Sequence, residues 1–149
     1  MILVIQRVQK ASVWVAQKEV ASIQKGILAY VGVEKGDSQA DILLAAKKLS
    51  GLRIFEDEAG KMSLCASQED SFLLISQFTL CGSIQKGFRP DFTNAEKPQS
   101  AREIFDTLCL ELQTTYHRTV KTGVFGEDMQ IHSQVDGPVT IYFQTRKDQ

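Results

Sequence analysis

The chain has 149 residues, 43% of them apolar, and 17 Lys plus Arg stand against 18 Asp plus Glu for a formal net charge of −1. That composition fits one globular domain with a sizeable core over residues 1–149 and excludes a disordered chain. The charge balance excludes wrapping of nucleic acid, DNA included, by neutralisation over the whole surface, but leaves room for a local basic patch at one end of an RNA.

No apolar run approaches the roughly 20 residues of a membrane span. Met1 to Ile5 is apolar, yet no basic region precedes it and Gln6-Arg7 interrupts it, so it reads as a first strand and not a secretion signal. Cys65, Cys81 and Cys109 show no Cys-x-x-Cys spacing, and His117 and His132 are not spaced as a metal pair. A disulfide framework, a zinc site and a cofactor are therefore not expected, and reduced thiols in the cytoplasm are.

Residues 2–9, 11–16, 19–24 and 26–33 are short and rich in Val and Ile, with breaks near Lys10, Gln17-Lys18 and Lys25-Gly26. They predict four short strands in an antiparallel meander. Ser38 opens a helix, with Asp41 three residues on in a capping-box arrangement, apolar Ile42, Ala45, Ala46 and Leu49 at helical spacing, and Gly51 at the stop. Leu52 to Phe55 reads as a short strand, 56–61 as a charged turn, and Met62 to Leu64 as a returning strand.

The run Phe72-Leu73-Leu74-Ile75 predicts a buried strand, and it ends on Ser76-Gln77-Phe78-Thr79-Leu80. Three hydrogen-bonding side chains around an aromatic ring suit a rigid scaffold that presents chemistry at its edge. An ordinary strand end with solvated polar residues is the alternative.

Residues 81–98 are the least regular segment, with Lys86 and Arg89 beside Phe88 and Phe92. Such a loop suits phosphate contact with nearby base stacking; a packed surface loop with incidental charge is the plainer reading. Ser100 to Glu103 forms a second capping box, and the helix it opens runs to about Tyr116 on an apolar stripe of Ile104, Phe105, Leu108, Cys109 and Leu112. Gln130 to Val135 and Val139 to Gln144 alternate as a final strand pair, and the tail from Thr145 reads as frayed. These elements predict an α+β fold, a curved, barrel-like and mostly antiparallel sheet covered by two main helices.

The search for a catalytic constellation finds neither a Gly-x-Ser-x-Gly elbow nor a phosphate-cradling Gly-rich loop. Neither histidine lies in a segment that looks like a site, so a Ser or Thr nucleophile would lack its activating base. Gly137-Pro138 is the second unusual feature. A Pro between two strand-like segments cannot donate to a sheet ladder, so the chain must leave the sheet there, and X-Pro bonds alone readily become cis. A hairpin turn at Asp136-Gly137 is the competing reading.

Ser76-Gln77-Phe78-Thr79-Leu80 followed by Gly137-Pro138-Val139-Thr140 resembles the two signature motifs of the D-aminoacyl-tRNA deacylases. Gln6-Arg7-Val8 with Ala11-Ser12-Val13, the run from Leu52 to Asp57, Gly87 with Pro90-Asp91-Phe92, and Phe125-Gly126 with Met129 extend the likeness over almost the whole chain. The resemblance implies a cytoplasmic homodimer that hydrolyses the ester between a D-amino acid, or glycine, and the 3′ end of tRNA. It implies a cis Gly137-Pro138 peptide that enters the partner's active site and excludes L side chains by steric contact, with Arg7 holding that loop. It implies assistance from the 2′-hydroxyl of the terminal adenosine, which fits the missing base. Backbone N–H groups of Phe78 and Thr79 are then the oxyanion donors, Thr79 has a positioning role, and Ser76 and Gln77 line the pocket. Phe78, Phe125 and Met129 shape it, and Lys86 and Arg89 meet the tRNA.

Two positions depart from the family pattern: Val135 stands where Asn is usual, and Glu127 where Ala is common. A non-catalytic dimeric RNA-binding module, and a thiol enzyme using Cys81, are the alternatives from other classes.

Overall fold

The structure, a computed structural model, describes residues 1–146. Residues 2–32 form a three-stranded antiparallel unit. Strand β1 (Ile2–Val15) runs unbroken for 14 residues, and β2 (Lys18–Ile23) and β3 (Gly26–Gly32) lie end to end along one edge of it. Ala16 and Gln17 both take positive φ, 48° and 64°, as a two-residue hairpin turn of the type that matches strand twist requires. The expected break near Lys10 is not a turn. Register shifts at Val8/Lys10 and Val13/Trp14 absorb the irregularity, so the four short strands are corrected to three, one of them long.

Among the described residues strand β4 (Phe55–Glu56) pairs only with β5 (Met62–Leu64), and it starts later than expected, since residues 52–54 lie outside any strand. Strand β6 (Ser71–Ser76) pairs parallel with β3, and β7 (Thr119–Thr122), which the sequence pattern did not reveal, pairs parallel with β6. Parallel neighbours need long crossovers, and α1 (Gln39–Gly51) and α2 (Pro98–Thr114) lie within them. The sheet is thus mixed, antiparallel on the β1 side and parallel beyond β3. Strand β8 (Gln130–Gln144) follows the other edge of β1 as one interrupted strand, not a strand pair.

Helix α1 forms its capping box, Ser38 N donating to Asp41 Oδ2 at 2.9 Å. Helix α2 does not use the box at Ser100. It begins two residues earlier because Pro98 can occupy the first turn, where no N–H is needed. It ends at Thr114, before Tyr116. His117 then takes φ 53°, and the Arg118 guanidinium donates to the carbonyls of Ser50, Ala66 and Ser67 at 2.9 to 3.0 Å while lying over the Phe72 ring.

Leu3, Ile5, Ile27, Ala29, Phe72 and Leu74 face the helices, while Val8, Val13, Leu28, Leu73 and Ile75 form a second cluster on the opposite face. Being buried on both faces explains the continuous apolar run of β6. The tail is not frayed as far as Arg146: Thr145 N donates to Met1 O at 2.9 Å, and Arg146 pairs with Asp37 at 2.7 Å. Residues 147–149 of that expectation lie outside the described residues. No helix among the described residues is long and apolar enough to cross a membrane.

Candidate active site

Parallel pairing carries β6 as far as Ser76 opposite Val31, and Gln77 N adds one more rung to Val31 O at 2.8 Å. The chain then winds into a 3₁₀ turn, Phe78–Cys81, with Leu80 N donating to Gln77 O and Gly82 N to Thr79 O. Gly32 lets the turn sit directly on β3: a Cβ there would lie 3.0 Å from Leu80 Cβ and 3.1 Å from Gln77 O. Phe78 and Thr79 are the first residues of the turn, and the leading amides of such a turn have no intrahelical acceptor. Both side chains are exposed, Phe78 by 60%. Gln77 Nε2 donates to the Thr79 hydroxyl, so an amide and not a base addresses that oxygen.

The histidines are engaged elsewhere. His132 stacks obliquely on Trp14 across the β1–β8 ladder, and His117 forms the exit from α2. Cys81 is buried beneath the turn with its thiol donating to Val33 O. Burial pushes that thiol up to about 11, and the charges of Glu34 and Asp37 add to the rise. A thiol so protonated is a poor nucleophile, which removes the basis for the thiol-enzyme alternative. Burial pushes Cys109 higher, to about 12, in keeping with an inert core thiol. No three His, Cys, Asp or Glu side chains converge as metal ligands among the described residues.

The second element is a bulge in β8. Thr140 pairs with Gln6 and Val135 with Val8, so Arg7 alone faces residues 136–139. Gly137 and Pro138 are exposed there, joined by a cis peptide, and no hairpin turn forms at Asp136-Gly137. Arg7 is 5% exposed. Its Nη1 donates to Ile54 O at 2.7 Å, its Nη2 lies 3.6 Å from Glu56 Oε1, and its Nε lies 3.0 Å from Asp136 Oδ2. The last contact is an ion pair and not an aligned hydrogen bond. Gly137 takes φ +120°, and a Cβ there would stand 3.0 Å from Arg7 Nη2 and 2.8 Å from Val139 Cγ2. Sequence reasoning treated Asp136 only as a turn former; its pairing with Arg7 depends on the register of two strands distant in sequence, which no local pattern signals. Val135, where an amide was expected, pairs with Val8, and Glu127 is exposed.

The remaining candidates divide between faces. Met129 packs with the β-face cluster, its sulfur close over Gly123, whereas Phe125 packs against Phe105 on the helix side. Lys86 and Arg89 are exposed on the finger 83–91, whose neck is closed by Ser83 N to Asp91 O at 2.8 Å and Asp91 N to Ser83 O at 2.9 Å. Hydrogen bonds from the Thr93 hydroxyl and amide hold the Asp91 carboxyl below its ordinary range. Phe92 at the neck meets Phe78 edge to face, centroids 5.2 Å apart.

One chain does not bring the two motifs together. Arg7 is level with Ile27 and Phe72 across the ladders, four residues short of Ser76. The bulge lies three strand spacings from β6, about 14 Å across the sheet, and about 13 Å along it.

The sequence profile of the D-Tyr-tRNA(Tyr) deacylase family matches residues 4–144. The chain belongs to this family. Similar proteins of the family include one from Dichelobacter nodosus, 48% identical over 95% of this chain and 98% of that protein, and one from Cytophaga hutchinsonii, 43% identical over 100% of both, each named D-aminoacyl-tRNA deacylase. The solved structure of a c-Myc DNA unwinding element binding protein is similar at a TM-score of 0.93 and 36% identity, covering 99% of this chain and 100% of that one. A probable eukaryotic D-amino acid tRNA deacylase shares the fold at a TM-score of 0.79 and 16% identity, covering 95% of this chain and 97% of that one. The family's fold and the α+β architecture with a curved sheet agree.

Proposed function

We propose that the protein hydrolyses D-aminoacyl-tRNA, releasing the D-amino acid and free tRNA. Water attacks the ester carbonyl carbon, the bond from that carbon to the 3′ oxygen breaks, and the oxygen leaves as the tRNA hydroxyl. The amides of Phe78 and Thr79 receive the developing oxyanion, a contribution of about 3–4 kcal/mol per donor where such donors have been removed. With no base beside Thr79, the 2′-hydroxyl of the terminal adenosine assists the attack. Ser76 and Gln77 fix the strand end, and Gln77 orients the Thr79 hydroxyl as a positioning group. Phe78 and Met129 shape the pocket. Phe125 stands behind it, braced on α2 by Phe105.

Gly137 and Pro138 select the substrate. An L side chain would meet their backbone; a D side chain points away, and glycine has none, so glycyl-tRNA is a second substrate class. The observation that carries the reading is the separation of a buttressed, exposed Gly137-Pro138 bulge from the strand end of its own chain. A homodimer resolves it, each copy placing its bulge at the other's Phe78–Cys81 turn. Among the described residues β8 pairs only with β1, which leaves its outer edge for such a partner. Lys86 and Arg89 meet tRNA phosphates, and the enzyme works in the cytoplasm without a cofactor.

Purified protein is expected to deacylate D-aminoacyl-tRNA far faster than the L form. Equal rates on both enantiomers would overturn the selection, and tRNA binding without hydrolysis of any charged form would leave an RNA-binding module instead.

A further inference from the structure

The finger 83–91 has more on it than two cations. Phe88 stands at its tip fully exposed, at 105%, with Ile84 exposed by 71%. Gly87, at φ +83°, turns the chain so that Lys86 and Arg89 flank that ring in sequence. The Asp91 carboxylate sits at the neck, not the tip, where Thr93 holds it in its charged form, so Lys86 and Arg89 at the tip leave the finger with one net positive charge. A bare aromatic ring between two cations is matched by an anionic ligand with flat apolar rings. A single-stranded polynucleotide has both, its bases stacking while its phosphates pair. A purely apolar protein surface would have no use for the two charges.

The finger is also fixed relative to the strand end. Its neck carries two backbone hydrogen bonds, and Phe92, next to the neck, packs on Phe78. Phe92 lies so close to the backbone of Gly82 that a Cβ there would meet its ring at 2.7 Å, and Gly82 N donates to Thr79 O at 3.1 Å. The folded segment 84–90 reaches about 10 Å at most from that neck. Its tip therefore addresses the strand near the scissile ester, not the distant body of the RNA.

We propose that Phe88 is a stacking platform for an unpaired nucleotide on the 5′ side of the terminal adenosine, with Lys86 and Arg89 on the adjoining phosphates. This rests on the deacylase reading above. The test compares two D-esters, full D-aminoacyl-tRNA and D-aminoacyl-adenosine, which lacks every upstream nucleotide and phosphate. Phe88→Ala should raise KM for the tRNA about tenfold, leave kcat alone, and leave the adenosine ester untouched. Phe88→Trp should keep or lower the wild-type KM. Replacing both Lys86 and Arg89 by Ala should reduce the slope of log affinity against log salt by about 1.4.

Equal losses on both esters would show a structural role and overturn the proposal, as would an unchanged KM for tRNA. Dissociation of the wild-type assembly by Phe88→Ala, read by sedimentation, would assign the ring to a second copy instead. Should the wild type hydrolyse neither ester, the deacylase reading fails by itself. Anisotropy of labelled uncharged tRNA then decides the platform, with equal affinity of wild type and Phe88→Ala overturning it.

Discussion

The Gly137-Pro138 bulge on β8 and the Phe78–Cys81 turn at the end of β6 are held by different forces. The bulge has few backbone bonds of its own and hangs on one buried guanidinium that meets Ile54 O, Glu56 and Asp136. The turn is held by the backbone bond from Gln77 to β3 at its entry, by its own two backbone bonds and by its tight fit over Gly32. The first arrangement fixes the direction of a short peptide; the second fixes two amides and leaves the Phe78 and Thr79 side chains on the exposed surface. Under the proposed function, damage to the bulge should corrupt selection, and damage beneath the turn should lower rate.

The largest effect is expected from Gly137→Ala. At φ +120° an L residue is strained by about 1–3 kcal/mol, and its Cβ would collide with Val139 and press on Arg7. Deacylation of D-aminoacyl-tRNA should fall by about tenfold or more, and the D-to-L rate ratio should collapse with it. A variant that kept the wild-type ratio would break the assignment of selection to the bulge.

Arg7→Met should follow. Removing the guanidinium leaves Ile54 O without its buried donor and Asp136 without its counter-ion. Glu56 is exposed and Asp136 part-exposed, so the cost is about 2 kcal/mol and not that of a fully buried pair. At this chain length that lowers Tm by about 6 °C. The D-to-L ratio, measured well below the new Tm, should drop while kcat on the D substrate holds.

How legible these two elements were differs for a physical reason. The apolar run of β6, the capping box at Ser38 and the exit of Pro138 from the sheet each follow from local chemistry, and each stands where the pattern put it. The parallel pairings of β6 do not, because pairing direction depends on crossovers that no local period encodes. β7 was missed since Thr119–Thr122 is short, and it gains strand structure only from its neighbour. Ser100 obeyed a capping pattern, yet Pro98 lay two residues upstream with a stronger claim on the first turn. The Arg7 anchor was expected only through family resemblance. Its partners at Ile54 and Glu56 lie far off in sequence, and a lone Arg in a strand carries no sign of them.

Gly32→Ala tests the other side of the comparison with a smaller effect. The added methyl would sit 3.0 Å from Leu80 Cβ and 3.1 Å from both Cys81 Sγ and Gln77 O, so the turn must lift. Overpacking of this kind costs about 1–2 kcal/mol. Displacing amides that receive an oxyanion should lower kcat about fivefold. The D-to-L ratio should stay at its wild-type value, because nothing near Arg7 moves. Loss of the ratio together with kcat would mean that the two elements are not separable.

Thr79→Ala should do least. Side-chain chemistry alone would make this hydroxyl a nucleophile, and its removal would then abolish turnover. The hydroxyl is instead addressed by the Gln77 amide, with both histidines engaged on other elements. Without a base it gains no nucleophilicity, while the Thr79 amide survives the substitution. Single-turnover rates on D-aminoacyl-tRNA should stay within about threefold of wild type, one lost hydrogen bond being worth about 1 kcal/mol or less at an exposed site. A tRNA ending in 2′-deoxyadenosine should be cleaved poorly by wild type and variant alike. If Thr79→Ala were dead in a folded protein and the 2′-deoxy substrate reacted normally, the turn would be supplying a side-chain reagent, and its contrast with the bulge would vanish.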